Sequence, residues 1–252
     1  MFSQDLKQII NKAKVELDSF TPLSVENFTR DELIQSYWQF HQRFKSFKVF
    51  PPSNSNILDI GSGSGGLFFW KEYANPIRTD LKMTAIDLQK GEYFDLFDNY
   101  EILNLDEADL PFIEKTFDFI TISHLIEHVK DWKALLEKCN KVLKNGGFIY
   151  IETPSKHTVD LPQKEHYIQK RFLCTTTNFF DDHTHKSTID LDEVDKYGYS
   201  VGLITFEKGF CRNPFLENIL LSYGLLHEDM ELTQYGLWSK LFFSSYIMLQ
   251  KL

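Results

Sequence analysis

Residues 56–70 read NILDIGSGSGGLFFW, and this stretch decides the fold. An apolar run with strand character, residues 56–60, contains the acid Asp59 and ends at Gly61. Further glycines follow at positions 63, 65 and 66, before a second apolar run. Glycine has no side chain, so a glycine-rich turn lets the backbone come close to a bound molecule. A buried strand followed by such a turn predicts a binding loop at the edge of an α/β sheet.

Length, composition and charge limit the class of protein. With 252 residues, 42% of them hydrophobic, the chain can form one large domain or a domain with an insert. A formal net charge of −9 argues against a nucleic-acid groove, because phosphate binding needs a local excess of Lys and Arg. The three cysteines are scattered, which indicates a reducing compartment. No signal-peptide core or membrane-length apolar run is visible, so we expect a cytoplasmic protein without a membrane span.

Strand and helix patterns alternate on both sides of the glycine loop. The predicted strands are residues 56–60, 83–87, 100–104, 117–123, 148–153, 200–207 and 241–250. The predicted helices are residues 3–18, 31–47, 131–143 and 213–236. Such alternation predicts an α/β fold, a Rossmann-like doubly wound seven-stranded sheet with an antiparallel last strand. An N-terminal helical leader and an insert between strands five and six complete the prediction.

Four segments follow from this pattern. We expect an N-terminal helical cap (1–50), a cofactor-binding core (51–154), a substrate-covering insert (155–200) and a C-terminal completion of the sheet (201–252). Ligands of open α/β sheets bind at the carboxyl ends of the strands. Asp59, Asp87, Asp106 and the segment after Ser123 are therefore predicted to share one edge of the sheet.

The glycine loop fits two cofactor templates at once. Gly61, Gly63 and Gly66 match G-x-G-x-x-G, the fingerprint of dinucleotide-binding loops. Asp59, Gly61, Gly63 and Gly65 match acid-x-G-x-G-x-G, a loop that holds S-adenosylmethionine. The loop alone leaves both cofactors open.

Further motifs, in order between about residues 50 and 154, resemble class I S-adenosylmethionine-dependent methyltransferases. They are LDIGSGSGG, AIDL, D-x-x-x-L-P-F from Asp106 to Phe112, FDFITISHLIEHVKD, and KVLKNGGFIYIETP, in which Asn145 stands where proline is usual. The resemblance implies S-adenosylmethionine as cofactor, S-adenosylhomocysteine as product, and Gly66 as a helix-packing residue. By the same resemblance Asp87 binds the ribose hydroxyls and Asp106 contacts the adenine. The implied cofactor-binding residues are Asp59, Gly61, Ser62, Gly63, Gly65, Asp87, Leu88, Asp106, Glu107, Ser123 and His124.

The segment after the fourth strand supplies the candidate catalytic residues. In the sugar O-methyltransferases that it resembles, a histidine at the position of His128 is proposed as the base, and the residue before it, here Glu127, also takes part. Histidine suits this role because its ordinary pKa lies near neutrality. We predict His128 as base and Glu127 as its orienter or as an alternative base. The other interpretation of this segment is a purely structural start of a helix.

The insert contains a second candidate cluster. Residues 178–186, NFFDDHTHK, resemble the D-D-P-T-H segment of bacterial O-antigen and capsule methyltransferases, with His183 where proline is usual. The resemblance implies that Asp181, Asp182 and Thr184 bind the substrate and that His185 takes part in catalysis. Asp182, His183 and His185 also have a spacing that a metal ion accepts, although we expect none. A surrounding basic set can bind a diphosphate: Lys156, His157, Lys164, His166, Lys170 and Arg171.

The leader helix carries candidates for closing over the cofactor. Tyr37, Trp38, Phe40 and His41 can pack on the cofactor, or they can pack the helix on the sheet. Arg43 can pair with the carboxylate of S-adenosylmethionine.

The expected activity is methyl transfer to a hydroxyl of a sugar or nucleotide-sugar in bacterial capsule or O-antigen biosynthesis. The expected partner is a small molecule, a nucleotide-sugar, bound by a monomer or homodimer. One alternative is a methyltransferase of another small molecule, namely a quinone, lipid, polyketide or phosphorus-containing acceptor. Others are a non-catalytic S-adenosylmethionine-binding module and a nicotinamide-dependent dehydrogenase.

Overall fold

A computed structural model describes the backbone of residues 2–163, 171–172 and 176–252, with side chains from residue 6 onward. Lys164, His166, Lys170 and Cys174 lie outside the described residues. Seven strands form one sheet in the order β3-β2-β1-β4-β5-β7-β6. Their bounds are β1 Asn56–Ile60, β2 Lys82–Asp87, β3 Asn99–Ile102, β4 Phe117–Ser123, β5 Leu143–Pro154, β6 Leu203–Phe210 and β7 Ser244–Lys251.

The first five strands pair in parallel, and the sheet ends in antiparallel strands. The predicted fold class is therefore confirmed. The helices are α1 Phe2–Asp18, α2 Arg30–Phe40, α3 Gln42–Val49, α4 Trp70–Tyr73, α5 Trp132–Val142, α6 Leu191–Ser200, α7 Glu217–His227 and α8 Met230–Lys240. Short 3-10 turns cover residues 66–69, 94–96, 126–128, 156–160 and 179–181.

Two predicted helices are each divided in the structure. The helix predicted over 31–47 breaks at His41, whose backbone is extended with φ −74° and ψ 138°. The helix predicted over 213–236 breaks at Glu228, which is left-handed with φ 54°. The side chain of Asp229 then caps α8 by accepting from the backbone N–H of Leu232. A β-carbon on Gly224 would lie 2.1 Å from Thr233 Oγ1, so this glycine permits the close packing of α7 on α8.

The fifth strand and one helix also differ from prediction. Residues 145–147, between the predicted helix 131–143 and the predicted strand 148–153, are part of β5, which begins at Leu143. Gly146 has φ +78°, and the pairing of β4 with β5 shifts register between Phe117 and Phe119. The strand therefore accommodates the glycines as an irregularity, as a β-bulge does. Helix α6 lies in the insert, where no helix was predicted, and Asp190 caps its first turn.

The chain divides into two compact units. The first contains residues 1–41, 154–188 and 210–245, and the second contains residues 42–153, 189–209 and 246–252. The predicted insert 155–200 is thus shared between the units, with the division after residue 188. In the second unit, apolar side chains of β1, β4 and β5 pack with α5, α6, β6 and β7 in one core. In the first unit, α1, α7 and α8 supply half of the buried residues in two apolar clusters.

Candidate active site

The glycine loop after β1 is fixed by unusual backbone angles and by hydrogen bonds to β2. Gly61, Gly63 and Gly65 have φ values of +74°, +56° and +87°. This left-handed region is costly for other residues, so the loop depends on glycine at these positions. The backbone N–H groups of Gly61 and Ser62 donate to Ile86 O at 2.8 and 3.1 Å. The loop therefore has one defined shape at the carboxyl end of the sheet.

The carboxylate of Asp87 binds the loop directly. Asp87 Oδ2 accepts from the backbone N–H of Gly63 at 2.8 Å, and Oδ1 accepts from that of Leu88 at 2.7 Å. A carboxylate has about four lone-pair sites, so both oxygens can accept further donors, such as two ribose hydroxyls. The Leu88 side chain is 64% exposed. The geometry is thus consistent with the predicted ribose contact of Asp87.

Gly91 is a site residue that was not predicted. A β-carbon at this position would lie 2.2 Å from Gly63 O and 2.6 Å from the ring of Phe94. The neighbouring Tyr93 N–H donates to Ser64 O at 2.8 Å. The segment after β2 is therefore packed against the glycine loop, and only glycine fits at position 91. An isolated glycine shortly after a strand is the sequence signal for such a close backbone approach.

Asp59 lies under the loop as a buried acid. Its side chain is 1% exposed, and Oδ1 accepts from Arg43 Nη2 at 3.0 Å. Arg43 Nε also donates to Thr121 Oγ1 at 3.2 Å, and the guanidinium lies 5.3 Å from the centre of the Trp70 ring. Burial raises the pKa of Asp59 above its ordinary value, although Arg43 and Ser62 act in the opposite direction. Arg43, predicted to pair with the cofactor, is thus bonded to Asp59 in this structure.

The second oxygen of Asp59 bears on whether a cofactor fits here. Asp59 Oδ2 is buried and has no hydrogen-bond partner among the described residues. A buried oxygen of this kind needs a donor. S-adenosylmethionine has an ammonium group on its methionine part and two ribose hydroxyls. The donor that Asp59 lacks, together with the carboxylate of Asp87 beside the loop, matches those groups.

The carboxylate predicted to contact adenine also has a structural partner. Asp106 Oδ1 accepts from the backbone N–H of Lys130 at 2.7 Å, and the Asp106 N–H donates to Asn104 Oδ1 at 3.1 Å. Asp106 is half-buried, whereas Glu107 is exposed. Asp106 therefore links the loop after β3 to the segment that follows β4. The adenine contacts of Asp106 and Glu107 stay predictions.

A cluster of charged residues lies at the ends of β4 and β5. His124, which follows Ser123, has a left-handed backbone with φ +50°. Its Nδ1 lies 3.4 Å from Glu127 Oε1, and its Nε2 lies 3.3 Å from Glu152 Oε1. Burial lowers the pKa of His124, but the two glutamates prevail and raise it to about 9. Glu152 was not predicted, because an acid inside the apolar run FIYIETP gives no indication of its partner.

The predicted base and its neighbour lie near each other. His128 is half-buried at the end of the 3-10 turn 126–128, and its N–H donates to Leu125 O at 2.8 Å. One of its ring nitrogens lies within 4.8 Å of a carboxylate oxygen of Glu127. Glu127 is fully buried and accepts from Thr153 Oγ1 at 3.0 Å. This burial favours Glu127 as the orienter of the pair rather than as the alternative base.

The residues of the D-D-x-T-H segment lie in the first unit and bond to their own turn. Asp181 Oδ2 accepts from the N–H groups of Thr177 and Asn178, both at 2.9 Å. Asp182 Oδ1 accepts from the N–H and hydroxyl of Thr184 at 2.8 and 2.6 Å. These bonds are typical of a structural turn. Substrate binding by Asp181, Asp182 and Thr184 stays a prediction.

Other predicted groups of the first unit are also engaged. His185 Nδ1 lies 2.6 Å from Phe179 O, and its ring packs on that of Phe179. Arg171 donates to three carbonyls at the end of α1, so this guanidinium stabilises a helix end. Tyr37 stacks on Tyr235 with ring centres 4.1 Å apart. The ring of Tyr37, in the N-terminal helical leader, therefore packs on helix α8.

The family of the chain follows from comparison with known proteins. Residues 31–200 match the family model described as a methyltransferase domain. The chain belongs to this family. The prediction of a methyltransferase is therefore confirmed, and S-adenosylmethionine rather than a dinucleotide is its cofactor. No helix in the described part of the chain is long and apolar enough to cross a membrane.

Relatives in sequence are methyltransferases of quinone biosynthesis. The chain is 34% identical over 113 residues to the ubiquinone/menaquinone biosynthesis C-methyltransferase UbiE of Rickettsia typhi, covering 40% of this chain and 46% of that protein. It is 27% identical over 153 residues to the mitochondrial ubiquinone biosynthesis O-methyltransferase of Mus musculus, and the match covers 56% of this chain and 40% of that protein. The matches thus span less than half the length of these relatives. The resemblance to sugar O-methyltransferases finds no support in them.

Solved structures share the fold at low sequence identity. A methyltransferase complex from Haloferax volcanii aligns with TM-score 0.59 and 15% identity, covering 88% of this chain and 93% of that one. Phosphoethanolamine N-methyltransferase 2 of Haemonchus contortus, solved with S-adenosylmethionine, aligns with TM-score 0.57 and 18% identity, covering 90% and 58%. An S-adenosylmethionine-dependent methyltransferase from Aquifex aeolicus has TM-score 0.52 and 15% identity, covering 89% and 100%. These structures support the fold.

Proposed function

We propose that this chain transfers a methyl group from S-adenosylmethionine to a small aromatic acceptor of the quinol or phenol type. The acceptor class is inferred from two relatives, one from a bacterium and one from a mouse. By their names, both act in ubiquinone biosynthesis. The cofactor half of the proposal rests on the glycine loop and on the buried oxygen of Asp59 that lacks a donor. Methyl transfer to another small molecule was the alternative prediction from the sequence. It replaces methyl transfer to a sugar as the preferred function.

When bound, S-adenosylmethionine supplies an activated methyl group on a positively charged sulfur. Asp59 and Asp87 would hold its methionine and ribose parts at the glycine loop. The chain must then orient the acceptor and remove its proton. His128 is the group proposed for that step, with Glu127 directing its ring from within 4.8 Å.

A phenolic acceptor matches a histidine base better than a sugar does. A phenol has a pKa of about 10, as tyrosine does, whereas an alkyl hydroxyl is a much weaker acid. Proton transfer to an imidazole is therefore less unfavourable from a phenol. Loss of that proton also raises the electron density on the neighbouring ring carbons, so one base can serve O-methylation or C-methylation.

The experiment is a methyl-transfer assay with an acceptor panel. The chain is incubated with S-adenosylmethionine and, separately, with a quinol, a catechol, a nucleotide-sugar and phosphoethanolamine. Mass spectrometry then detects the replacement of one hydrogen by methyl. Methylation of the quinol or catechol supports the proposal. Methylation of the nucleotide-sugar alone would restore the sugar acceptor and reject the aromatic one.

The base is tested with a matched pair of histidine variants. His128→Ala should lower kcat by about 10²–10⁴-fold, the range for loss of a positioned base. His227→Ala removes an exposed histidine at the end of α7 and should leave kcat unchanged. Calorimetry with S-adenosylmethionine accompanies both variants. Tight binding without turnover of any acceptor would point to the non-catalytic binding module.

A further inference from the structure

The cluster at the ends of β4 and β5 places one imidazole between two buried carboxylates. Glu127 is 0% exposed and Glu152 is 3% exposed. His124 presents Nδ1 to the first at 3.4 Å and Nε2 to the second at 3.3 Å. All three residues belong to the second unit, and we call them the rim cluster. Its position is the edge of the sheet where ligands of this fold bind.

Hydroxyl groups fix the remaining oxygens of both carboxylates. Thr153 Oγ1 donates to Glu127 Oε2 at 3.0 Å, and the Tyr150 hydroxyl donates to Glu152 Oε2 at 2.8 Å. Each carboxylate is therefore held at one oxygen by a hydroxyl while its other oxygen faces the imidazole. The orientation of both acids depends on His124 as much as on these hydroxyls.

The protonation of His124 follows from the groups around it. A neutral imidazole has one N–H donor and one bare acceptor nitrogen. With a carboxylate at each ring nitrogen, the neutral ring would set its bare nitrogen against an anionic oxygen. Only the imidazolium offers a donor to both sides, and a buried carboxylate needs such a partner. The left-handed backbone of His124 is a further cost, of the kind that accumulates at functional sites.

We propose that His124 is a positioning residue that, as an imidazolium bridging Glu152 and Glu127, holds Glu127 in the orientation required beside His128. This inference rests on the proposed function of His128 as base. His124 takes no proton from the acceptor in this arrangement. It holds the Glu127 carboxylate in one direction, so that Glu127 can orient the His128 ring. The cofactor contact predicted for His124 is made by its backbone, which His124→Gln leaves in place, so it is separate from this role of the ring.

The protonation state is tested by NMR without any acceptor. Long-range ¹H–¹⁵N correlation spectra of the histidine side chains are recorded at pH 7.5, and His124→Gln assigns the signal that disappears. We expect protons on both ring nitrogens of His124. One protonated and one bare nitrogen at that pH would overturn the inference. This result does not depend on turnover, so it is separate from failure of the proposed function.

The positioning role is tested by kinetics of His124→Gln with the acceptor found in the panel. We expect kcat to fall about 10- to 100-fold, part of the contribution of a positioned base, while the Kd for S-adenosylmethionine stays within about twofold. The pH profile of kcat should also change, because the substitution removes the titratable imidazole of His124 from the site. His227→Gln is the control and should change none of these quantities. An unchanged kcat, or a loss found wholly in the cofactor Kd, would overturn the inference.

A second variant covers the case in which His124→Gln does not fold. Glu152→Gln keeps the size of the side chain and the imidazole, but removes one of the two anions that face the ring. The ring of His124 should then lose a proton at lower pH than in the unmodified chain, visible in the same spectra. An NMR titration of His124 that is identical in the two proteins would contradict the bridge.

Discussion

Replacing Gly91 with alanine should damage the cofactor site through steric contact alone. The new β-carbon would lie 2.2 Å from Gly63 O and 2.6 Å from Phe94 Cε1. Real β-carbons almost never approach another atom closer than 3.0 Å, so the contact with Gly63 must open from 2.2 Å to at least 3.0 Å. The atom that has to move is a backbone oxygen of the glycine loop, which cannot rotate away as a side chain can.

The displacement acts on the part of the loop that holds Asp87. Gly63 N–H donates to Asp87 Oδ2 at 2.8 Å, and Gly63 is held at φ +56°. Forcing an extra methyl group into such a site costs about 1–3 kcal/mol. The free protein can relieve part of this strain by shifting the loop, but cofactor binding requires the original loop. We therefore expect S-adenosylmethionine to bind about 5- to 150-fold more weakly, which is the same 1–3 kcal/mol expressed as affinity.

Calorimetry with S-adenosylmethionine and S-adenosylhomocysteine measures the effect, and two glycine variants serve as controls. Gly66→Ala adds a methyl group in the same loop, where the nearest atom would be Ser64 Oγ at 3.6 Å, an ordinary contact. Its Kd should stay within about twofold of the unmodified chain. Gly63→Ala has no atom within 4 Å, so its expected loss comes only from the left-handed backbone, about 1–2 kcal/mol. Equal affinities for Gly91→Ala and the unmodified chain would refute the steric reasoning.

Two further predictions concern buried and partly buried ion pairs. Arg43→Ala leaves the buried Asp59 without its cation and should lower the free energy of unfolding at pH 7 by about 3 kcal/mol. Burial already raises the Asp59 pKa, so the loss should shrink as pH falls and the acid is protonated; a series of urea melts from pH 7.5 downwards in which the loss stays constant would contradict this. Asp80 has its pKa lowered to about 2, mainly by its hydrogen bond to Arg78. Its stabilisation is therefore present above about pH 4 and lost as pH falls towards 2. Asp80→Asn should cost roughly 1 kcal/mol at pH 7, since solvent screens a partly exposed pair. The cost should be clearly smaller near pH 2, where about half of the Asp80 carboxylates are protonated in the folded protein; equal costs at pH 7 and pH 2 in urea melts would reject this reasoning.

Strands β1 and β4 were predictable because their sequence pattern agrees with their place in the sheet. Strands β1 and β4 have the predicted bounds, Asn56–Ile60 and Phe117–Ser123. Both are mostly apolar and buried over most of their length, although Asp59 interrupts β1, and Asp118 and Thr121 interrupt β4. A central strand of a parallel sheet must have that composition, since both of its faces are covered. The sequence pattern of such a strand therefore has few alternative interpretations.

The helix breaks were not predictable from the same kind of pattern. The apolar spacing of residues 213–236 continues through Glu228 and Asp229, and neither residue excludes a helix by propensity. The break is decided by contacts between α7 and α8. Gly224 lies against Thr233, and a β-carbon on Gly236 would lie 2.8 Å from Glu217 O. Two glycines spaced along one predicted helix were the available signal, but only the antiparallel packing explains their positions.

In the candidate site, the sequence identified individual residues but did not show which residues contact each other. Asp59, Asp87 and His124 were all singled out, yet the bond from Arg43 to Asp59 joins residues in α3 and β1. Glu152 was not predicted as a site residue, because an acid in an apolar strand can face solvent or be buried. Only the pairing of Ser123 with Glu152 across β4 and β5 places this carboxylate beside His124. Such pairs depend on strand register, which a single sequence does not specify.

The predicted cofactor site and the acceptor site differ in how far a short stretch of sequence can identify them. The loop predicted to bind the cofactor is one turn, whose left-handed glycines and neighbouring acid can be identified from a few consecutive residues. The acceptor has no such turn. The segment that suggested a sugar, residues 178–186, uses Asp181, Asp182 and Thr184 to bond its own backbone or neighbouring hydroxyl. A short motif of acids, threonine and histidine can therefore stabilise a loop as readily as it can bind a sugar. The acceptor must therefore be established by assay, with His128 as the base proposed to remove its proton.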